Sequence, residues 1–217
     1  MQRHKIKRRA ACVLFAAALS LCGALGYLSG RSVKIRAELT YYLLSTESDE
    51  AVEVFAKDEY YSGGAGYIVE EKSVLSYYLS EADADVVRDR LINEGKRASV
   101  QAVSLGSFRL RGRERAGAEA VRSAIVCIDG TLRALYRIAN GIDTLAYSQE
   151  GGKALLADVS TVLQAVAGIE ERGTCSENIA KMAKECASSL SGREIVYARD
   201  VRAAGVALCL AFVALGR

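Results

Sequence analysis

The stretch Gly63–Gly95, GGAGYIVEEKSVLSYYLSEADADVVRDRLINEG, constrains the fold more than any other part of the chain. Ala65–Val69 and Val74–Leu79 are apolar, β-branched and aromatic, as half-buried strands require, and Glu70–Ser73 between them reads as a hairpin turn. Ser80 then offers a hydroxyl to the free N–H groups that open a helix. Ala84, Val87, Leu91 and Ile92 recur at helical spacing. Gly95 ends the run, free to take the left-handed backbone that closes helices. A similar half lies upstream. Leu39–Leu44, with Tyr41-Tyr42-Leu43 at its centre, predicts a strand. Ser48 predicts a helix cap, with Asp49 and Glu50 in a first turn where the helix dipole favours negative charge. Val52, Phe55 and Ala56 form one apolar face, and Gly63-Gly64 ends that helix. Downstream, Ala98, Val100 and Ala102 alternate with Ser99, Gln101 and Val103, which predicts a last strand. The order β-α-β-β-α-β predicts a four-stranded antiparallel sheet with both helices on one face.

The chain before this unit has a different chemistry. Residues 1–9 are basic, with Arg3, Lys5, Lys7, Arg8 and Arg9, and they outweigh the whole chain's net charge of +3. The remainder is therefore slightly acidic and lacks the electrostatic footprint of a nucleic-acid binder. Ala10–Leu28 follows without a charge. A helix of that length spans roughly 28 Å, close to the ~30 Å hydrocarbon core of a bilayer. The expectation is an uncleaved transmembrane helix over residues 10–28, with the basic tail cytoplasmic and the bulk of the chain outside. A cleaved signal peptide, cut near Ala24-Leu25-Gly26, is the main rival. Lipidation at Cys22 is disfavoured by Leu21, and a buried helix is disfavoured by the basic flank.

Beyond Gly112 the pattern becomes helical. Val121, Ile125, Ile128, Leu132, Leu135, Ala139, Ile142 and Ala146 step by fours and threes. Gly130 and Gly141 interrupt the stripe, each at a cost of ~1 kcal/mol relative to alanine. Leu156, Val159, Leu163 and Val166 mark a second helix, and Thr174 or Ser176 caps a third over Glu177–Leu190. Val201, Ala204, Leu208, Phe212 and Leu215 share one face of a fourth, whose apolar part is too short to cross a bilayer. Short links between these helices predict a bundle over residues 113–217.

Residues 39–105 resemble a divergent SPOR domain, the sporulation-related repeat of cell-envelope proteins. The resemblance rests on the paired halves and on GGAGYIV…SYYLSEADADVVRDRLINEG followed by an Ala-Ser-Val strand. It implies a SPOR-like, or ferredoxin-like, α/β domain over residues 38–105 behind a membrane anchor. It also implies that the open sheet face contacts peptidoglycan glycan strands. The chain departs from the family at Leu43-Leu44-Ser45-Thr46 and at Ser76-Tyr77-Tyr78-Leu79-Ser80, where the Gln-x-Gly-x-Phe-like and Gly-Pro-Phe-like segments of members stand.

The physical chemistry of a sugar face is testable against the residues themselves. Tyrosine offers a ring for C–H faces and a hydroxyl for polar partners. Neighbours on a strand point to opposite faces, so one of Tyr41/Tyr42 and one of Tyr77/Tyr78 faces away from the helices. Tyr42, Tyr67, Tyr78 and Gln101 are the candidate glycan-binding residues, against the alternative that the tyrosines pack in a core. Catalytic chemistry has little to draw on. The one histidine is His4, in the basic tail. The six cysteines include no Cys-x-x-Cys pair, and Cys175 and Cys186 in one helix stand roughly 16 Å apart, too far for a disulfide. Cys127, Cys175, Cys186 and Cys209 are expected as buried free thiols, a disulfide staying open. The carboxylate pairs Asp83/Asp85 and Glu170/Glu171 are expected as solvated charge. No cofactor, metal or nucleic acid is expected.

Together these features predict an α+β chain: transmembrane helix, four-stranded βαββαβ sheet, C-terminal helical bundle. The expected function is that of a non-enzymatic, membrane-anchored envelope protein contacting peptidoglycan in cell division or sporulation. The alternative is a protein-interaction scaffold whose helical part mediates assembly, self-association included, with the sheet face covered.

Overall fold

A computed structural model describes residues 32–47, 51–170 and 173–216. The strands are β1 (Ser32–Ile35), β2 (Leu39–Glu47), β3 (Tyr67–Val69), β4 (Lys72–Tyr78), β5 (Arg97–Leu105) and β6 (Phe108–Arg111). The helices are α1 (Val52–Tyr61), α2 (Glu81–Asn93), α3 (Ala118–Asp143), α4 (Gln149–Ala167), α5 (Thr174–Leu190) and α6 (Ala198–Ala214), with a 3₁₀ turn over Gly112–Gly117 before α3.

The strands form two antiparallel sheets. One has the order β3-β4-β2-β5, and the other is the two-stranded ribbon β1-β6. This corrects the expected architecture of one sheet behind a membrane helix with a bundle appended. The ribbon pairs Val33 with Leu110 and Ile35 with Phe108. Its apolar residues alternate with Lys34, Arg109 and Arg111, so Ile35 and Leu110 enter the core while the charges stay in water. Among the described residues no helix is long and apolar enough to cross a membrane. The basic tail 1–9 and the run Ala10–Leu28 lie outside the described residues.

Local chemistry explains most element boundaries. Ser80 caps α2, its hydroxyl accepting from the Asp83 N–H at 3.2 Å. Gly95 closes the helix with φ of 83°. The β3–β4 hairpin turns on Glu70 and Glu71 alone, both left-handed with φ of 48° and 63°. That is the twist a two-residue hairpin demands, met without glycine. α1 begins at Val52 behind Ala51. The expected cap Ser48 and its acidic first turn lie outside the described residues. α5 begins one turn earlier than expected, so Thr174 is its first residue and Gly173 its cap.

The helices cover both faces of the larger sheet. α1 and α2 lie on one face, where Leu44 of β2, Ala56 of α1 and Ala84 and Leu91 of α2 are buried. The opposite face, which a free-standing α/β unit leaves open, carries α6 against β4 and β5, with α3 beside it. α4 and α5 pack outside α3 and α6 to complete a four-helix arrangement. The α3 stripe is spent inside this body: Val121, Ile125, Ile128, Leu132, Leu135 and Ala139 are all buried. Ile142 is half-buried, and Ala146 lies beyond the helix and is exposed. The core is continuous from Ile35, Tyr41 and Leu43 through Tyr77 to Leu132, Leu163, Ile179 and Phe212. Burying each such side chain fully stabilises the fold by about 1.5–3 kcal/mol. The segments 38–105 and 113–217 thus share one core.

Candidate functional site

The four candidate glycan-binding residues do not converge. Tyr42 and Tyr78 are cross-strand partners, so they share the face occupied by α1 and α2. Tyr78 is half-buried there, its ring 5.8 Å from that of Tyr136, and burial pushes its phenol up to about 12. Tyr67 opposes Val74 and Gln101 opposes Leu43, which puts both toward the other face, on strands β3 and β5. Those are the two outermost strands, three spacings of ~4.8 Å apart, with α6 between them and any common ligand.

The tyrosines that point away from α1 and α2 are Tyr41 and Tyr77, and the helices seal both. Tyr41 donates its hydroxyl to Asp129 of α3 at 2.7 Å. Tyr77 donates to the Leu132 carbonyl at 2.6 Å. Burial raises both phenols far above the ordinary range, and for Tyr41 the bond to Asp129 adds to it. Their rings meet edge to face at 6.5 Å, and Phe212 of α6 packs against Tyr41. α6 comes this close because residue 205 is glycine: a Cβ there would stand 2.5 Å from the Tyr77 ring.

Tyr78 instead lines a polar cleft of about 470 Å³ between α2, α3 and the end of α1. Its charges are already matched. Lys96 pairs with the buried Glu59 at 3.3 Å, and Arg202 pairs with Asp143. Arg202 also donates to the Gly63 carbonyl at 2.7 Å and reaches the Asn140 side chain. One arginine thereby fastens the ends of α1 and α3 to the first turns of α6.

A second cluster forms where α1 ends and α6 begins. Tyr60 donates to Asp200, which also accepts from Arg193 at 2.6 Å. Asp200 is buried, and its bond raises the Tyr60 phenol. Beside it the Arg199 guanidinium lies 5.0, 5.6 and 4.6 Å from the ring centres of Tyr60, Tyr61 and Tyr197. Such contacts hold a cation electrostatically against the ring faces. Gln149 ties the neighbouring segment in place, donating to the Val196 carbonyl at 3.0 Å and accepting from its N–H at 2.9 Å. The result is an end of the molecule where Tyr61, Leu145, Tyr147, Ile195 and Tyr197 are all exposed. Leu145 is 88% exposed and left-handed at φ of 56°, an outward-pointing apolar residue on a bent backbone.

Sequence reading missed this cluster entirely. Tyrosine and arginine together are the composition of interface hot spots. The tyrosine pair at 60–61 and the arginine at 199 are joined only by the fold, however, and no local periodicity announces them.

Reactive chemistry is sparse. Cys127 is exposed rather than buried as expected, Cys175 is half-buried, and Cys186 and Cys209 are buried, all as free thiols. Asp85 is engaged by Arg88 rather than merely solvated. Among the described residues no three histidine, cysteine or acidic side chains gather as metal ligands. Compared with known proteins, the chain matches no family model, no curated protein and no solved structure, so the SPOR resemblance rests on residues 39–105 alone.

Proposed function

We propose that the chain is a non-enzymatic protein-interaction module that docks through the tyrosine–arginine end formed by α1, α6 and the α3–α4 link. The observation that carries this reading is the pairing of a covered sheet face with an uncovered aromatic patch. Tyr41 and Tyr77 are sealed under α3 and α6, while Tyr61 is 63% exposed and Tyr197 45% exposed around Arg199. Rigid amphipathic rings around an arginine offer large contact area at small entropic cost, which is what interface centres use. Placing the protein at a membrane, with its bulk outside the cytoplasm, is a further proposal that rests on the sequence of residues 1–28.

The test is a photoreactive phenylalanine analogue placed at Tyr61, at Tyr197 or at the control position Glu177, which is exposed near the other end of the helical layer. Discrete cross-linked adducts in cells from 61 and 197, with none from 177, support the reading. No adduct at either tyrosine, or the same adducts from all three, refutes it.

A second reading keeps peptidoglycan as the ligand but moves it to the Tyr78 cleft. The cleft supports it by being polar, charge-balanced and furnished with one aromatic ring. Retention of the full chain on amidase-treated peptidoglycan, lost in Tyr78→Ala and kept in Tyr67→Ala, is the outcome this reading requires.

A further inference from the structure

We infer that Arg199 is the specificity anchor of the docking end and takes the carboxylate of a partner protein's Asp or Glu set among apolar residues. This rests on the interaction reading above and names the chemistry of the partner. Arg199 forms no hydrogen bond and no ion pair with any described residue. Its Nε is buried without a partner, while the residue as a whole is only half-buried. Three rings stand within 5.6 Å of the guanidinium carbon, the Nε is buried, and part of the residue still reaches water. A guanidinium lodged among three rings has less rotamer freedom left to lose when a ligand arrives. Its planar pair of N–H groups matches a carboxylate in two parallel bonds.

The surroundings decide what else the partner carries. Tyr61 and Tyr197 are exposed at this cation, and Ile195, Tyr147 and Leu145 are exposed on the two segments that Gln149 ties together, so the best-matched partner carboxylate is one with apolar neighbours. Asp200, next in the chain, is itself occupied by Tyr60 and Arg193. Its negative charge disfavours a dianionic phosphate and leaves a singly charged carboxylate as the better match.

The experiment uses the full chain and an array of synthetic dodecapeptides. Each has a central Glu flanked by Leu, Phe and Val, and each is matched to its Glu→Gln copy and to a phosphoserine copy. Affinities of the best binders are measured by fluorescence anisotropy. The expected result is a loss of roughly tenfold or more on Glu→Gln, the range for a charge-assisted hydrogen bond. Arg199→Gln should bind the Glu and Gln peptides alike, and Arg199→Lys should keep a partial preference. Thermal melts confirm that each variant is folded, and Tyr61→Ala, which keeps Arg199, should weaken Glu and Gln peptides equally. Equal binding of Glu and Gln peptides to the natural chain, with both lost in Tyr61→Ala, overturns the Arg199 assignment and leaves the interaction reading standing. Tighter binding of the phosphoserine copy overturns the carboxylate assignment. No binding to any peptide overturns both.

Discussion

Gly205→Ala should be strongly destabilising, because it tests directly whether α6 lies on the sheet. In an ordinary exposed helix interior this change stabilises by ~1 kcal/mol. Here the new methyl would stand 2.5 Å from Tyr77 Cε1 and 2.9 Å from its hydroxyl oxygen. Tyr77 cannot swing aside freely, since its ring is buried and its hydroxyl donates to the Leu132 carbonyl at 2.6 Å. Overpacking a filled core costs about 1–3 kcal/mol. Pulling the phenol off its acceptor leaves a buried polar group unpaired, at a further ~1–3 kcal/mol. Set against the helix gain, the net loss is about 1–5 kcal/mol by urea denaturation. The matched control is Gly130→Ala in α3, where a Cβ meets nothing within 4 Å and the sign should reverse. A second control replaces Tyr77 with Leu, which removes the ring edge. In that background Gly205→Ala should become neutral or stabilising. A Gly205→Ala protein as stable as the natural one, or a loss unchanged by Tyr77→Leu, would refute the covered sheet face.

Three further outcomes follow from the same structure. Glu71→Gly relieves a left-handed non-glycine residue in the β3–β4 turn and should raise stability by about 1 kcal/mol, read as a higher Tm. Thr46→Val removes a hydroxyl that is fully buried without a partner, and should stabilise by ~1 kcal/mol rather than destabilise. The third concerns alkaline pH. Burial pushes the Cys186 and Cys209 thiols from an ordinary 9.0 up to about 12. Unfolded thiols then release protons from pH 9 while the folded ones keep theirs to about 12. The unfolded state binds fewer protons over that window, so stability falls as pH rises, by about 1.4 kcal/mol per unit for each thiol. Between pH 8 and pH 10 the natural chain should lose roughly 3 kcal/mol more, by urea titration, than the Cys186→Ala/Cys209→Ala protein does.

What was legible in the chain was whatever acts within one turn or one strand. The Ser80 cap, the Gly95 stop and the buried stripe of α3 each follow from residues a few positions apart, and each stands where the spacing puts it. The ribbon β1–β6 was equally local in principle. Val33/Ile35 and Phe108/Leu110 alternate with charge, but a four-residue alternation is too short to stand out from noise until its partner is seen. Arg202 and Arg199 were not legible at all. The first joins Gly63, Asn140 and Asp143, and the second joins Tyr60, Tyr61 and Tyr197, contacts that exist only once three segments have met.

The tyrosine pairs mark the border between the two kinds of information. Strand alternation requires that Tyr41 and Tyr42 part company, as do Tyr77 and Tyr78, but it says nothing of what waits on either side. The structure puts α2 near one member and α3 with α6 over the other, so neither set offers a bare sheet surface. Gly205 is the trace of that packing within the sequence. A glycine in the middle of a helix gives up about 1 kcal/mol of propensity, and it is kept where another part of the chain must come closer than a Cβ allows. Covering the sheet with α6 in turn fixes where α6 begins, and its first turn is where Arg199 meets the three rings. The close approach at Gly205 and the exposed cation at Arg199 are thus two ends of one placement: a variant that lifts α6 off Tyr77 should also disperse the aromatic cradle. Loss of Glu-peptide preference in Gly205→Ala, with Arg199 itself untouched, is the measurement that ties them together.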